Sequence, residues 1–272
     1  MANKNLYLIG TVHIDLKGPA RLEGLLKHIA PDIVALEFHK DRESLIEQRK
    51  RASPEEEEKE ADEIFKEVGL SLTLAQKQVM LECGRDLNSV IGYEFSVSRN
   101  YINSNPKSRL EYIDISVFEN GVQEFKEGSI AAMKGILAEI AQEPELREQF
   151  LEMLSKGKDA FLQQSMEGVD MLYKNAEISE ELAESMRDPK IFEAMKEQLP
   201  SNAIQTLKQI YNPRRDEAMA NRVNELYNTG SHRLVAIAGL MHIPGLKSRL
   251  LDLDPTTMTL ADYDSNFTHY KK

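Results

Sequence analysis

The chain has 272 residues, 41% of them hydrophobic and 29% charged, with a formal net charge of -11 at pH 7; it is long enough for one large domain or two small ones around a sizeable core. An acidic chain lacks the basic surface that phosphate backbones and anionic lipid require, so neither a nucleic acid nor a membrane is expected as a partner. Cys83 is the single cysteine, which excludes an intrachain disulfide and a thiolate zinc cluster and fits a cytoplasmic protein, and neither a secretory pattern at Met1–Asn5 nor a run of roughly 18 to 20 apolar residues is present.

The first predicted strand is about Leu6 to Val12. A helix follows over Pro19 to Ile29, with Leu22, Leu25, Leu26 and Ile29 on one face. After the turn at Pro31-Asp32, Ile33 to Leu36 reads as a fully buried second strand ending at Glu37. That order predicts a βαβ unit and a parallel sheet. Ser53-Pro54-Glu55-Glu56 opens a helix with a capping box, and the acidic run Glu55 to Glu60 reads as its solvated face. Leu72 to Met80 is helical in character, and Gly92-Tyr93-Glu94 opens a helix reaching Ile102. Arg109 to Ile115 contains the third strand, ending near Asp114.

From about 119 to 210 the period-two apolar pattern disappears and helix formers dominate. Ser179 caps one helix there and Asp188-Pro189 opens another. The methionines scattered through the stretch, among them Met133, Met153, Met166, Met171, Met186 and Met195, read as core filler. Asn212-Pro213 starts a helix to about Tyr227, stopped by Gly230. His232 to Ala238 is strand four, a short helix spans Leu246 to Leu251, and Thr256 to Ala261 is an edge strand. The reading is a single α/β domain over 1–272. Its mainly parallel central sheet is built from both chain ends, about 1–118 and 211–272, with a long helical insertion over about 119–210. A helical layer of this kind covers a site or forms an oligomer contact, and an apolar edge strand or Met-rich helix leaves room for a homodimer.

Two strands end in the same signature. Leu6 to Ile9 runs into Gly10-Thr11-Val12-His13, and Leu234 to Ala238 runs into Gly239-Leu240-Met241-His242. Parallel strands would bring both histidines to the carboxyl edge of the sheet, where open α/β sheets build their sites. Glu37, Glu94, Asp114 and Arg215-Asp216 also stand at strand ends or helix starts. Asp216 alone reads as an acid compensating a helix dipole. Together these residues describe one pocket of two imidazoles, several carboxylates and an arginine.

At this point the sequence resembles the TraB/PrgY-type proteins. The resemblance rests on Leu8 to His13, Pro31 to Glu37 with Arg42, Gly92-Tyr93-Glu94, Ile113-Asp114, Arg215-Asp216 with Met219, and Gly239 to His242 with Pro244-Gly245, in that order along the chain. That superfamily includes the Tiki metalloproteases and is similar in fold to erythromycin esterases and ChaN-like haem-binding lipoproteins. The resemblance implies peptide hydrolysis dependent on a divalent metal, Mn²⁺ or Co²⁺ favoured. It implies His13 and His242 as the paired histidines, Glu37 and Glu94 as acidic site residues, and Arg215 nearby. The sequence departs from the pattern after Asp114, where Ile115-Ser116 replaces the arginine often found, and in its polar C-terminal stretch, where PrgY-type chains carry membrane helices.

Mixed N and O donors suit Mn²⁺, Co²⁺ or Zn²⁺, and a catalytic metal lowers the pKa of its water toward about 7. His13, His242 and Glu37 are the expected ligands. Glu94 is the favoured base or further ligand, Glu37 also stands as a catalytic group, and Arg215 neutralises an oxyanion or holds a substrate carboxylate. Tyr93 and Asp114 are further candidates for contact with a peptide substrate. Two other readings of the same residues stay open: a binder of peptide or haem without turnover, and a metal-free esterase-like hydrolase.

Overall fold

The computed structural model describes residues 5–43, 53–116, 122–175, 181, 185, 188–195, 199–210, 212–229 and 233–267. Ser179, Met186, Gly230 and His232 lie outside the described residues. The chain runs β1 (Asn5–Thr11), α1 (Gly18–Ile29), β2 (Ile33–Leu36), a 3-10 turn (Lys40–Arg42), α2 (Pro54–Val68), α3 (Leu74–Val90), α4 (Tyr93–Ser104) and β3 (Arg109–Tyr112). It continues with α5 (Val122–Gln142), α6 (Pro144–Ser155), α7 (Lys158–Lys174), α8 (Pro189–Met195), α9 (Ser201–Ile210) and α10 (Pro213–Asn228). β4 (Arg233–Gly239), a 3-10 turn (Leu240–His242), α11 (Ile243–Arg249), a second short turn (Leu251–Leu253), β5 (Thr256–Thr259) and α12 (Leu260–Phe267) complete it.

The five strands form one parallel sheet in the order β3-β2-β4-β1-β5, so the fold is α/β with a parallel central sheet and β5 at its edge. Successive side chains alternate between two buried faces, which is why the inner strands read as continuous apolar runs. Ile9, Val34, Leu36, Val235 and Ile237 pack under α1, α4 and α12, using Leu22, Leu25, Leu26, Phe95 and Leu260. Leu6, Leu8, Ala35, Leu234 and Ala236 pack under α10 and α11, using Met219, Val223 and Leu246. The register pairs Thr11 with Gly239 and Leu36 with both Ile237 and Tyr112. Four strands therefore end level, and the residues that follow them leave at one edge.

Every described element from 122 to 210 is helical. The helical layer also draws on residues before β3, because Ile64, Phe65 and Leu70 share a core with Leu137 and Ala141. At the start of α2 the Ser53 Oγ accepts the Glu56 N–H at 3.2 Å while Glu56 Oε2 accepts the Ser53 N–H at 3.0 Å. The third strand stops at Tyr112, short of the expected end near Asp114, because Asp114 turns inward and its Oδ1 accepts the Ile115 N–H at 2.9 Å. Cys83 is a buried packing residue of α3.

Two glycines of this framework should respond oppositely to alanine. A methyl group at Gly84 in α3 meets nothing within 4 Å, so Gly84→Ala should raise stability by about 0.5–1 kcal/mol through helix propensity. A methyl group at Gly245 in α11 would collide with the Asp216 carboxylate, so Gly245→Ala should cost about 1–3 kcal/mol. Urea unfolding of both variants checks the pair; equal effects would show that α11 does not press on α10 as described.

Candidate functional site

Each histidine is built into the edge by a different helix start. β1 delivers Thr11 and then His13. Gly92, at φ 78°, lets the chain turn into α4, whose first turn carries Glu94. A carboxylate is favoured there by the helix dipole. Glu94 Oε1 lies 2.7 Å from His13 Nδ1 and accepts the Thr11 hydroxyl at 3.0 Å. In the neutral imidazole a hydrogen bond from Nδ1–H to Glu94 leaves Nε2 as the ring nitrogen free to accept or to bind an ion.

β4 delivers His242 at the end of its 3-10 turn, and α10 supplies the partner. Asn212 caps α10, its Oδ1 accepting the Arg214 N–H at 3.0 Å, which sets Asp216 in the first turn. Asp216 Oδ1 lies 2.5 Å from His242 Nδ1. The bare backbone of Gly245 gives this carboxylate its space. His242 Nε2 then lies 3.4 Å from Glu37 Oε1.

Glu37 stands beside His242 and within electrostatic reach of His13. Its Oε2 accepts the Gly239 N–H at 2.5 Å and its Oε1 accepts from Arg215 Nη2 at 2.5 Å. The position a Cβ would take on Gly239 is 3.3 Å from both Glu37 Oε2 and His13 Nε2. Arg215 also donates from Nε to Asp114 Oδ1 at 3.1 Å, from Nη2 to Asp114 Oδ2 at 2.7 Å, and from Nη1 to the Ile210 carbonyl at 2.5 Å. Of five guanidinium N–H groups, one on Nη1 is left over by these bonds. Arg42 Nη2 donates to Asp114 Oδ2 at 2.8 Å from the outer side.

The charges follow from this packing. Burial pushes the Glu37 carboxyl up, but His242, Arg215, His13 and Arg42 together hold it well below the usual carboxylate range. Burial works against the charge of Arg215 too, yet Glu37 and Asp114 keep it firmly protonated. The Glu94 carboxylate raises His13 from 6.5 to about 9 against the opposing effect of desolvation. The His13 side chain is 54% exposed, so water screens part of that attraction.

His13, Glu37, Glu94, Asp114, Arg215 and His242 thus come together at one edge. Arg215 and Asp114 face each other, with the Asp114 side chain fully shielded, so most of their bonds are spent within the buried ion cluster and not on the open edge. Tyr93 stands apart, 3% exposed in the core with its ring over Gly18. Sequence reasoning did not find the Asp216–His242 pairing, the Arg42–Asp114 bond, or Tyr173. The Tyr173 hydroxyl, on α7, accepts the Val12 N–H at 3.0 Å and donates to Asp15 Oδ2 at 3.1 Å, gripping the loop on both sides of His13. A lone tyrosine in a helical stretch carries no signal of that role.

Two measurements probe this charge arrangement. Because the folded pKa of His13 is raised, its ionic stabilisation is fully present below about pH 6.5 and is lost as pH rises through about 9. In metal-free protein its imidazole NMR titration should have a midpoint above 6.5, moving back toward 6.5 in Glu94→Gln; a wild-type midpoint at or below 6.5 would contradict the pairing. Arg215→Ala should cost about 3–5 kcal/mol in urea unfolding, because it leaves Glu37 and Asp114 buried without their shared counter-ion. A loss under 1 kcal/mol would mean that solvent, not Arg215, compensates them. Compared with protein-family models, with curated proteins and with solved structures, the chain matches none.

Proposed function

We propose that this chain is a hydrolase that cleaves peptides with a metal-activated water, in the cytoplasm. One observation carries the reading: each histidine has its Nδ1 on a buried carboxylate, His242 Nε2 lies 3.4 Å from Glu37 Oε1, and His13 Nε2 and Glu37 Oε2 both border Gly239. Metal-binding histidines are characteristically oriented in this way, the second carboxylate fixing the tautomer and raising ligand basicity. The ordered motifs that resemble TraB/PrgY-type proteins point the same way, and the single buried cysteine fits a reducing compartment.

The donor chemistry suits a divalent ion. His13 Nε2, His242 Nε2 and a Glu37 oxygen would hold it, Mn²⁺ or Co²⁺ by preference and Zn²⁺ by the same donor types. Bound there, the ion would supply a water whose pKa is lowered toward about 7. The residues themselves have distinct tasks. Glu37 is a good anionic ligand and a poor proton acceptor, since a base works best with a pKa near the working pH. In this reading Glu94 and Asp216 orient the imidazoles, with Glu94 a positioning residue for His13 in place of the expected base. Arg215 offsets the charge of Glu37 and Asp114 and has one Nη1 N–H for a developing oxyanion.

A second reading is favoured by a specific observation. Arg215 already neutralises Glu37 Oε1, and among the described residues no set of three His, Cys, Asp or Glu side chains stands spaced as a metal site. Two carboxylate-oriented histidines beside a buried guanidinium could instead carry acid/base hydrolysis without a metal.

Chelator-stripped protein titrated with Mn²⁺, Co²⁺ and Zn²⁺, and assayed on a mixed peptide library, tests both. The metal reading expects cleavage only after metal addition, loss of metal and activity in His13→Ala and His242→Ala, and affinity about 10–100-fold weaker in Asp216→Asn. Unchanged metal affinity in both histidine variants overturns it. Cleavage that persists in chelator supports the acid/base reading, and no cleavage under either condition removes both.

A further inference from the structure

Arg215 was the expected anchor for a substrate carboxylate, but its position argues for another residue. It is 3% exposed and donates to Glu37, Asp114 and the Ile210 carbonyl. Arg42 shares the same Asp114 Oδ2 from the opposite side, and its side chain is 22% exposed. Among the described residues Asp114 is its one side-chain hydrogen-bond acceptor, so the other N–H groups of its guanidinium are not used by the buried ion cluster. Through Asp114 Oδ2, which Arg215 Nη2 also holds, Arg42 stands beside the ion cluster at the sheet edge.

The surroundings of Arg42 restrict what it would hold. Ile115, whose N–H is fixed on Asp114 Oδ1 at 2.9 Å, is 37% exposed, and Ile14, next to His13, is 42% exposed. An apolar ligand group laid on either of them would take that surface out of water. The Asp114 carboxylate that Arg42 already holds, only partly offset by Arg215, repels a dianionic phosphate more than a single carboxylate. A guanidinium fork matches a carboxylate in plane. A peptide's last residue presents both groups together: a terminal carboxylate and, one bond away, its side chain.

We propose that Arg42 and Ile115 form a subsite for the C-terminal carboxylate and apolar last side chain of a peptide. This rests on the hydrolase reading and gives it a substrate class: short peptides with a free, apolar C-terminal residue. The probes are an N-acetylated short peptide ending in leucine and the same peptide as its C-terminal amide. Binding of each is measured by calorimetry and cleavage by chromatography, with wild type, Arg42→Gln, Arg42→Lys and Lys40→Gln. Lys40→Gln removes an equal charge two residues away and serves as the control.

Wild type should bind the free acid at least about tenfold tighter than the amide, the gain expected of a charge-assisted pair. Arg42→Gln should bind both peptides at the amide's level, Arg42→Lys should fall between, and Lys40→Gln should match wild type. Equal binding of acid and amide by wild type overturns the subsite, as does binding of neither, a preference retained in Arg42→Gln, or an equal loss in Lys40→Gln. Circular dichroism of the variants separates lost recognition from lost folding, and the wild-type comparison needs no variant. Cleavage without acid preference leaves the hydrolase reading standing and removes the subsite. Preference in binding without cleavage under any metal condition does the reverse.

Discussion

A carboxylate has been placed in the dry interior at the end of β2, and the organisation of the edge follows from keeping it charged there. Taking such a group from water costs several kcal/mol even after relaxation. Glu37 recovers that cost from the Gly239 N–H, from Arg215 and from the neighbouring imidazole of His242. Arg215 is buried in turn and needs Asp114, and Asp114 takes a second cation in Arg42. One buried charge thereby ties the ends of β2, β3 and β4 to the start of α10 and to the turn after β2. Hydrophobic packing holds the sheet together; the ion cluster fixes how its strand ends meet.

The paired glycine motifs have a reciprocal explanation. Gly10 lies where a Cβ would come within 2.8 Å of Leu240 Cδ1 and 3.1 Å of Ile243 Cγ1, so its bare backbone admits the turn that carries His242. Gly239 lies where a Cβ would press on His13 Nε2 and Glu37 Oε2, so it admits the other histidine. Each glycine makes room for the residue its partner strand delivers. Adjacent parallel pairing of β1 with β4, Thr11 opposite Gly239, is the geometric condition for that exchange.

This reciprocity explains why so much of the edge was legible in the sequence. Parallel strands buried on both faces write themselves as apolar runs, and residues immediately after them must emerge together; His13, Glu37, Asp114 and His242 were readable on that ground alone. Roles set by side chains meeting across long sequence separations were not. Asp216 has the outward pattern of a dipole-compensating acid, and only the packing of α11 on α10 reveals it as the partner of His242. Tyr93 adjoins Glu94 in sequence, but a helical residue one position along points some 100° away, and here that direction leads into the core over Gly18. The Thr73–Gln76 capping box of α3 went unread although its spacing matches the one at Ser53, because the apolar residues around it drew the helix start earlier.

The two histidines are alike in motif and unlike in setting, and the difference comes from where their supports originate. His242 is held by α10, which is welded to the sheet through Met219 and Val223, and its side chain is only 10% exposed. His13 emerges from a loop whose supports are α4 and the tyrosine of α7, and it keeps more than half of its side chain in water. A ligand approaching the edge meets solvent-facing His13 and Ile14 before it meets Glu37 or His242. The helical layer therefore does more than cover the sheet. Through Tyr173 it sets the backbone of the one histidine that solvent can reach, so α7, far from His13 in sequence, takes part in fixing the geometry of the edge.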